Sequence, residues 1–391
     1  MAKSMLVVGG GIGGLAAAFA GARSGWRVDV LEQATQFGEV GAGIQLGPNV
    51  VRILHAQGLE PALRAVAAYP ERLDVRNAMQ GGVVGTLPLG QSMVQRYGAP
   101  YLTIARPDMH RLLLDAVQAS GEVQLTVNSR VVDIQAVPDR VGVLTSDDRQ
   151  LEADVLLGAD GLWSTVRGRV VADGPPRVTG HLAFRAMVAQ AELPEALRSQ
   201  VVTVWLGHDF HAVQYPVRGG AWLNVVCIVH GTVAGDPSEW DQSANAAELR
   251  SRLNGACSRL RDLVQAIDHW RLWALCDRPP MASAAEHARG RIALLGDAAH
   301  PMRPYLAQGA GMAIEDAACL AESLSDPSLD VPQALQRYAS RRWQRNARVQ
   351  ARAIRNGDIF HLKGPMQFGR DLAIRVLGPK LLDVPWLYGE R

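Results

Sequence analysis

The sequence predicts an α/β fold: a Rossmann-like domain, an antiparallel-sheet domain set into it, and helices at the C-terminal end. Three observations predict it. Residues 5–32 run as strand, glycine turn, helix, strand and acid. Residues 177–230 change to short alternating apolar and polar runs. Residues 334–356 turn helical and basic. The 391 residues are 48% hydrophobic, enough for a substantial core divided among two or three domains.

The first element is the apolar run 5–8, which reads as a short buried parallel strand. Gly9, Gly11 and Gly14 then give G-x-G-x-x-G. The first glycine permits a tight turn, the second lets a phosphate approach the backbone, and the third lets a helix pack on the strand. Leu15, Ala18, Phe19 and Ala22 recur at helical spacing. The N-terminus of that helix offers N–H groups and a positive dipole end to a pyrophosphate. The second strand, 28–31, ends at Glu32, an acid suited to ribose hydroxyls and hostile to a 2′-phosphate. This order predicts a dinucleotide site but leaves FAD and NAD open.

Two later segments separate them. "DVLLGADGLWSTVR" (154–167) is an apolar strand followed by Asp160-Gly161, Ser164 and Arg167. "GRIALLGDAAHPMRPYLAQGAGMAIEDAACLAESL" (290–324) is a strand ending in Gly296-Asp297, a loop, and a helix opening at about Gly309. With the opening stretch, and in this order, they resemble the single-component flavin-dependent aromatic hydroxylases, the family of salicylate and hydroxybenzoate hydroxylases. The resemblance covers nearly the whole chain. It implies a hydroxybenzoate-hydroxylase type of Rossmann-like FAD-binding domain, with an antiparallel-sheet substrate domain.

The same resemblance assigns roles. Asp297 bonds the ribityl chain. The helix of Gly309 and Ala310 aims its positive end at the flavin pyrimidine edge. Arg106, in "TIARPDMHRLLLDAV", lies near the flavin phosphates; a surface arginine before a helix is the competing reading. Asp160 serves flavin and pyridine nucleotide, or else caps a turn. Gln45 falls where the family chain passes the isoalloxazine ring, and Val131 packs near the adenine. A second G-x-G-x-x-G module is missing, as is normal for a family in which NADH, or NADPH in its place, docks transiently.

The alternating runs 177–230 read as an antiparallel sheet, with Arg218-Gly219-Gly220 as a hairpin turn. Residues 73–100 are expected to join it. The domains then run 1–175 (FAD-binding, first part), 176–281 (substrate sheet), 282–330 (FAD-binding, second part) and 331–391 (C-terminal helices). Arg337, Arg341, Arg345, Arg348, Arg352 and Arg355 share one helix face. A solvated or salt-bridged face, or a subunit contact, accounts for them better than nucleic acid does, since few aromatics interleave.

The same resemblance places the expected substrate chemistry on the strand 211–215. Alternation puts His211, Val213 and Tyr215 on one face. In 3-hydroxybenzoate 6-hydroxylases and 6-hydroxynicotinate 3-monooxygenases a His and a Tyr at this spacing touch the substrate. A His and Tyr satisfied inside a β domain is the bland alternative. A neutral His can take a phenol proton, and the phenolate's ortho and para carbons then attack a flavin C4a-hydroperoxide. Tyr215 bonds a carboxylate or ring hydroxyl. Tyr305 is a second polar candidate, and Arg185 and Arg303 offer charge. Pro304, Gln45 and Tyr305 each depart from one of these two specificities, so neither exact substrate carries over.

The expectation is an FAD-dependent hydroxylase of a small phenolic or heteroaromatic acid, consuming NAD(P)H and O₂. The alternatives are epoxidation or N-hydroxylation on the same fold, or a non-catalytic flavin redox sensor. A net charge of +2 gives no general attraction to nucleic acid or membrane. Cys227, Cys257, Cys276 and Cys319 have neither zinc nor disulfide spacing, so no metal is expected and a cytoplasmic setting fits. No apolar run is long enough to span a bilayer. A homodimer is the family expectation.

Overall fold

The computed structural model describes residues 3–38, 41–232, 235–238, 242–243 and 246–389. The chain forms two compact units of three stretches each: 1–40, 107–177 and 277–353, then 41–106, 178–276 and 354–391.

The first unit is built on a six-stranded sheet, ordered Ala288–Arg289, Ile292–Leu294, Val155–Gly158, Ser4–Val8, Arg27–Leu31, Val123–Thr126. Its pairings are parallel except for that of the two outermost strands at the Ala288 edge. Ser4–Val8 is buried along its whole length, as its unbroken apolar run requires. Helix Ile12–Arg23 lies on this sheet, with Gly21 against Val28 and Met5. Helix Gly309–Leu324 packs on it in turn. Gly13 makes that approach possible: a Cβ there would stand 2.7 Å from Leu295 Cδ1 and 3.3 Å from Ala313 Cβ. The antiparallel strands Val131–Val137, Arg140–Thr145 and Gln150–Ala153 form a smaller sheet.

The basic helix is Val331–Phe360, and Arg337, Arg341 and Arg345 of its basic face are salt-bridged. Arg341 pairs with Glu322 at 2.8 Å, Arg345 with Glu315 at 2.7 Å and Arg337 with Asp326 at 2.5 Å.

The second unit carries an eight-stranded sheet, ordered Gln242–Ser243, Arg271–Asp277, Arg177–Ala189, Trp222–His230, Phe210–Val217, Val202–Leu206, Arg72–Asn77, Val83–Pro88. Alternation divides its residues cleanly. Phe184, Cys227 and Ala212 stand opposite one another across three strands and face a core closed by Leu249, Leu260 and Leu263 from two short helices. The other face takes His181 opposite His230, Ile228 opposite His211, and Arg185 opposite Val226.

Three boundaries differ from the sequence expectation. Within 73–100, Gly90–Tyr97 is a helix that buries Met93 and ends on Gly98 at φ 76°. Residues 41–72 also belong to the second unit, where Gly43–Leu46 and Leu102–Ala105 form a separate two-stranded sheet. Gln45 and Arg106, expected within a 1–175 domain, therefore belong to the second unit. The region 331–391 is shared, with 331–353 in the first unit and the rest in the second. These joins rest on partners far apart in the chain, such as Leu73 opposite Val202, which local periodicity cannot display.

Candidate active site

In the first unit, Gly9 adopts φ +103°, and a Cβ on it would stand 2.5 Å from Ala159 O. A Cβ on Gly14 would lie 1.9 Å from Gly9 O, so helix and turn meet only because both are glycine. Gly11 is the N-cap of Ile12–Arg23, with no side-chain cap among the described residues and no acid in the first turn. Glu32 closes the turn from the neighbouring strand: Gly10 N–H donates to its Oε2 at 2.7 Å, and Ala34 N–H to its Oε1 at 2.8 Å. Val131 is buried at the start of its strand.

A second helix N-terminus belongs to the same unit. Gly309–Leu324 starts from Gln308 without a side-chain cap among the described residues, and its first turn holds Gly309 and Ala310 and no acid. The exposed Asp297 stands beside it, its Oδ1 4.0 Å from where a Gly309 Cβ would be. The turn bearing Asp297 is held from below by Asp316, whose Oδ2 accepts from Gly296 N–H at 3.1 Å and pairs with His300 at 2.5 Å. Burial alone would raise the Asp316 carboxyl, but His300 and Arg342 hold it far below the ordinary range. Two uncapped helix ends, a turn that excludes side chains and a carboxylate at the strand end fit the pyrophosphate, ribose and ribityl groups of FAD.

Asp160 has a structural task. It accepts from Ser164 Oγ at 2.5 Å, Thr165 N–H at 2.7 Å and Val166 N–H at 3.2 Å, capping helix Thr165–Val170. Tyr305 is buried in the turn Pro304–Leu306. Arg303 is committed to Asp277 at 2.8 Å, a positional role.

In the second unit, His211 and Tyr215 are 2% and 4% exposed on one face of Phe210–Val217. Tyr215 donates from its hydroxyl to Gly43 O at 2.6 Å, and Asn224 Oδ1 accepts from Gly43 N–H at 2.7 Å. Gly43 has to be glycine here, since a Cβ would stand 2.7 Å from Tyr215 Cε2. Tyr101 donates to Gln45 Oε1 at 2.6 Å on the same small sheet. Burial pushes the Tyr215 phenol well up, against the pull of Arg185 and Gln45, so it stays a donor. The Arg185 guanidinium stacks over Trp273 at 4.7 Å, and its Nε finds no hydrogen-bond partner among the described residues. Burial, and then the charge of Arg106, push it down to about 10, which still leaves it cationic.

His211 Nδ1 is 2.9 Å from His361 Nε2, and His361 Nδ1 is 3.1 Å from His230 Nε2. Burial, reinforced by His361 and His181, holds His211 well below an ordinary histidine, so it is neutral. The sequence reading missed Tyr101, Asn224 and the grouping of His181, His230 and His361. Strand parity carries a signal for His181 and His230; His361 follows a helix and carries none.

These features fit a flavoprotein whose second unit carries a buried polar strand face. The FAD binding domain family model matches residues 3–353, and the chain belongs to that family. It is 39% identical to 3-hydroxybenzoate 6-hydroxylase 1 of Aquipseudomonas alcaligenes, over 100% of this chain and 98% of that one. It is 35% identical to 6-hydroxynicotinate 3-monooxygenase of Bordetella bronchiseptica, over 88% of each. Among solved structures, HpxO of Klebsiella pneumoniae complexed with FAD and uric acid matches at a TM-score of 0.86 and 26% identity, covering 97% of this chain and 94% of that one. The protein is an FAD-dependent monooxygenase.

Proposed function

We propose that this monooxygenase hydroxylates a small phenolic acid of the hydroxybenzoate type, consuming NADH or NADPH and O₂. The single observation that carries the reading is a neutral His211 sharing a buried strand face with Tyr215, in a chain 39% identical to a 3-hydroxybenzoate 6-hydroxylase.

Each residue has a task that follows from its surroundings. His211 accepts the phenol proton, and the phenolate directs reaction to its ortho and para carbons. Tyr215 donates a hydrogen bond to the ring substituent, at the cost of its bond to Gly43. Arg185 supplies the cation for the carboxylate, with Trp273 fixing its plane. The apolar neighbours Val213, Val226 and Ile228 keep water from this face. In the first unit, Gly9, Gly11, Gly14, Glu32, Val131, Asp297, Gly309 and Ala310 hold FAD. Bound there, FAD would supply the hydride acceptor for the nicotinamide and the means of activating oxygen. The four thiols are unbridged, and no helix of the described residues is long and apolar enough to cross a membrane; the free thiols support a cytoplasmic setting as part of this reading.

The test is NADH consumption followed at 340 nm with 3-hydroxybenzoate, salicylate, 4-hydroxybenzoate and 6-hydroxynicotinate in turn. One compound should stimulate oxidation and return a product heavier by one oxygen. Stimulation by none of them, with FAD bound, would remove the phenolic-acid reading and leave epoxidation or N-hydroxylation.

A further inference from the structure

Three histidines converge at one end of the eight-stranded sheet. His181 and His230 stand directly opposite on the neighbouring strands Arg177–Ala189 and Trp222–His230. His361 reaches them just beyond the helix that ends at Phe360. One ring nitrogen from each lies within 4.8 Å of the other two. The ring centroids are 4.4 Å (His181–His230), 5.0 Å (His230–His361) and 5.3 Å (His181–His361) apart. His181 is buried, His361 half-buried and His230 exposed, so the group has a dry floor and an open mouth.

Three imidazoles are a poor way to finish the ends of neighbouring strands. They bury polar nitrogens, and three neutral rings gain little from one another. As a donor set they are coherent. Three neutral nitrogens suit zinc, copper or nickel and are a poor match for magnesium or calcium. Tetrahedral zinc, at ~2.0–2.1 Å from each nitrogen, separates neighbouring donors by about 3.3–3.4 Å. His230 Nε2 and His361 Nδ1 are already 3.1 Å apart, and rotation of the rings brings His181 in. Three protein ligands and one position left to water describe an exchangeable site, distinct from a closed structural one.

We propose that His181, His230 and His361 bind a divalent transition-metal ion of the zinc type, and that the ion turns off the His211 base through His361. The second half rests on the function proposed above. It follows from where a neutral imidazole keeps its one proton. For His211 to act as a base at Nε2, its proton sits on Nδ1 and is donated to His361 Nε2, 2.9 Å away. His361 then carries its own proton on Nδ1, toward His230. A metal on His361 Nδ1 displaces that proton to Nε2, as a ligating imidazole with a hydrogen-bonded second nitrogen requires. His361 now donates to His211 Nδ1. The His211 proton moves to Nε2, where it is a donor and no longer takes the phenol proton. No proton is gained or lost by the group; each ring changes tautomer.

The test uses tag-free, FAD-loaded protein, stripped with a chelator, desalted and titrated with zinc chloride by calorimetry in a non-coordinating buffer. One ion per chain is expected. His230→Ala, a change at an exposed position, and His181→Ala should each weaken binding by more than the ~10–100-fold typical of losing an outer supporting contact. Equal zinc uptake by wild type and the double variant would overturn the site. A second arm measures substrate-stimulated NADH oxidation. In wild type it should fall with zinc and return with chelator, while His230→Ala should not respond at the same zinc concentration. Stoichiometric binding without inhibition would overturn the switch and leave the site. Absence of turnover with every phenolic acid would count against the function, and the calorimetry would still decide the metal.

Discussion

His211 illustrates how much one side chain takes from its neighbours. Burial and two nearby imidazoles keep it neutral, which a base needs, and its bond to His361 decides which nitrogen is available. His211→Gln should lower turnover by ~10²–10⁴-fold, the usual worth of a positioned general base, while FAD content stays unchanged; a flavin absorbance spectrum beside the NADH assay separates the two. In the proposed function Arg185 belongs to the binding step. Arg185→Gln removes a charged hydrogen-bond donor worth about 1.5–3 kcal/mol, so KM for a hydroxybenzoate should rise by about tenfold or more. A neutral phenol lacking the carboxylate should show little change, and an equal rise for both would take the carboxylate role from Arg185. His211 and Tyr215 were legible in the sequence because a strand repeats every two residues. Tyr101 and His361 were not, because their partners Gln45 and His211 come from other elements, and no local spacing records such a meeting.

At the scale of elements, the opening turn leaves no room for added side chains. Gly14→Ala would place a methyl 1.9 Å from Gly9 O, a backbone atom, with the short Ala159 Cβ at 3.4 Å and no flexible side chain to yield. The helix would have to lift from the turn, taking its N–H groups away from the pyrophosphate site. Purified Gly14→Ala should therefore carry little FAD and regain little on adding it; a normal flavin-to-protein ratio would contradict this. The cap at 160–166 tests a milder case. Ser164 Oγ accepts from Arg167 N–H at 2.9 Å, and Ser164→Ala should cost about 1 kcal/mol, read as a lower urea midpoint with turnover per bound FAD retained. The glycine turn was readable because its chemistry is local: strand, turn and helix are neighbours in sequence. The large sheet was readable only in part. The run 177–230 announced itself by alternation, whereas the helix Gly90–Tyr97 and the pairing of Arg72–Asn77 with Val202–Leu206 did not. Both depend on which distant surface a modestly apolar segment finds to cover.

The whole molecule carries one consequence that no single element shows, which is its response to acid. Each unit holds a histidine kept neutral by its surroundings. In the first, burial pushes His287 down to about 3 in spite of Asp316. Its Nδ1–H donates to Leu294 O at 3.3 Å, and its Nε2 accepts from Asn346 Nδ2 at 3.1 Å, so a second proton would face a donor. In the second, His211 is lowered in the same sense. The sign follows directly. Below an ordinary histidine pKa of ~6.5 the unfolded chain takes up these protons and the folded chain does not, so stability is full above that pH and falls as the pH drops, for His287 until about 3. Each such group contributes a slope of up to about 1.4 kcal/mol per pH unit in that window. The ion-paired carboxyl of Asp316, held low, adds a further loss once the pH passes below ~3.9, the ordinary carboxyl value. Urea midpoints measured with chelator present should therefore fall steadily from pH 7 to pH 5, before most carboxylates titrate. His287→Gln, which cannot take a proton, should be less stable at pH 7 but should lose less on acidification, its slope smaller by about one proton. Midpoints that stay level between pH 7 and pH 5, or an unchanged slope in His287→Gln, would show that the buried histidines are already charged in the folded chain. Acid sensitivity would then have to come from the carboxylates alone, and would begin two pH units lower.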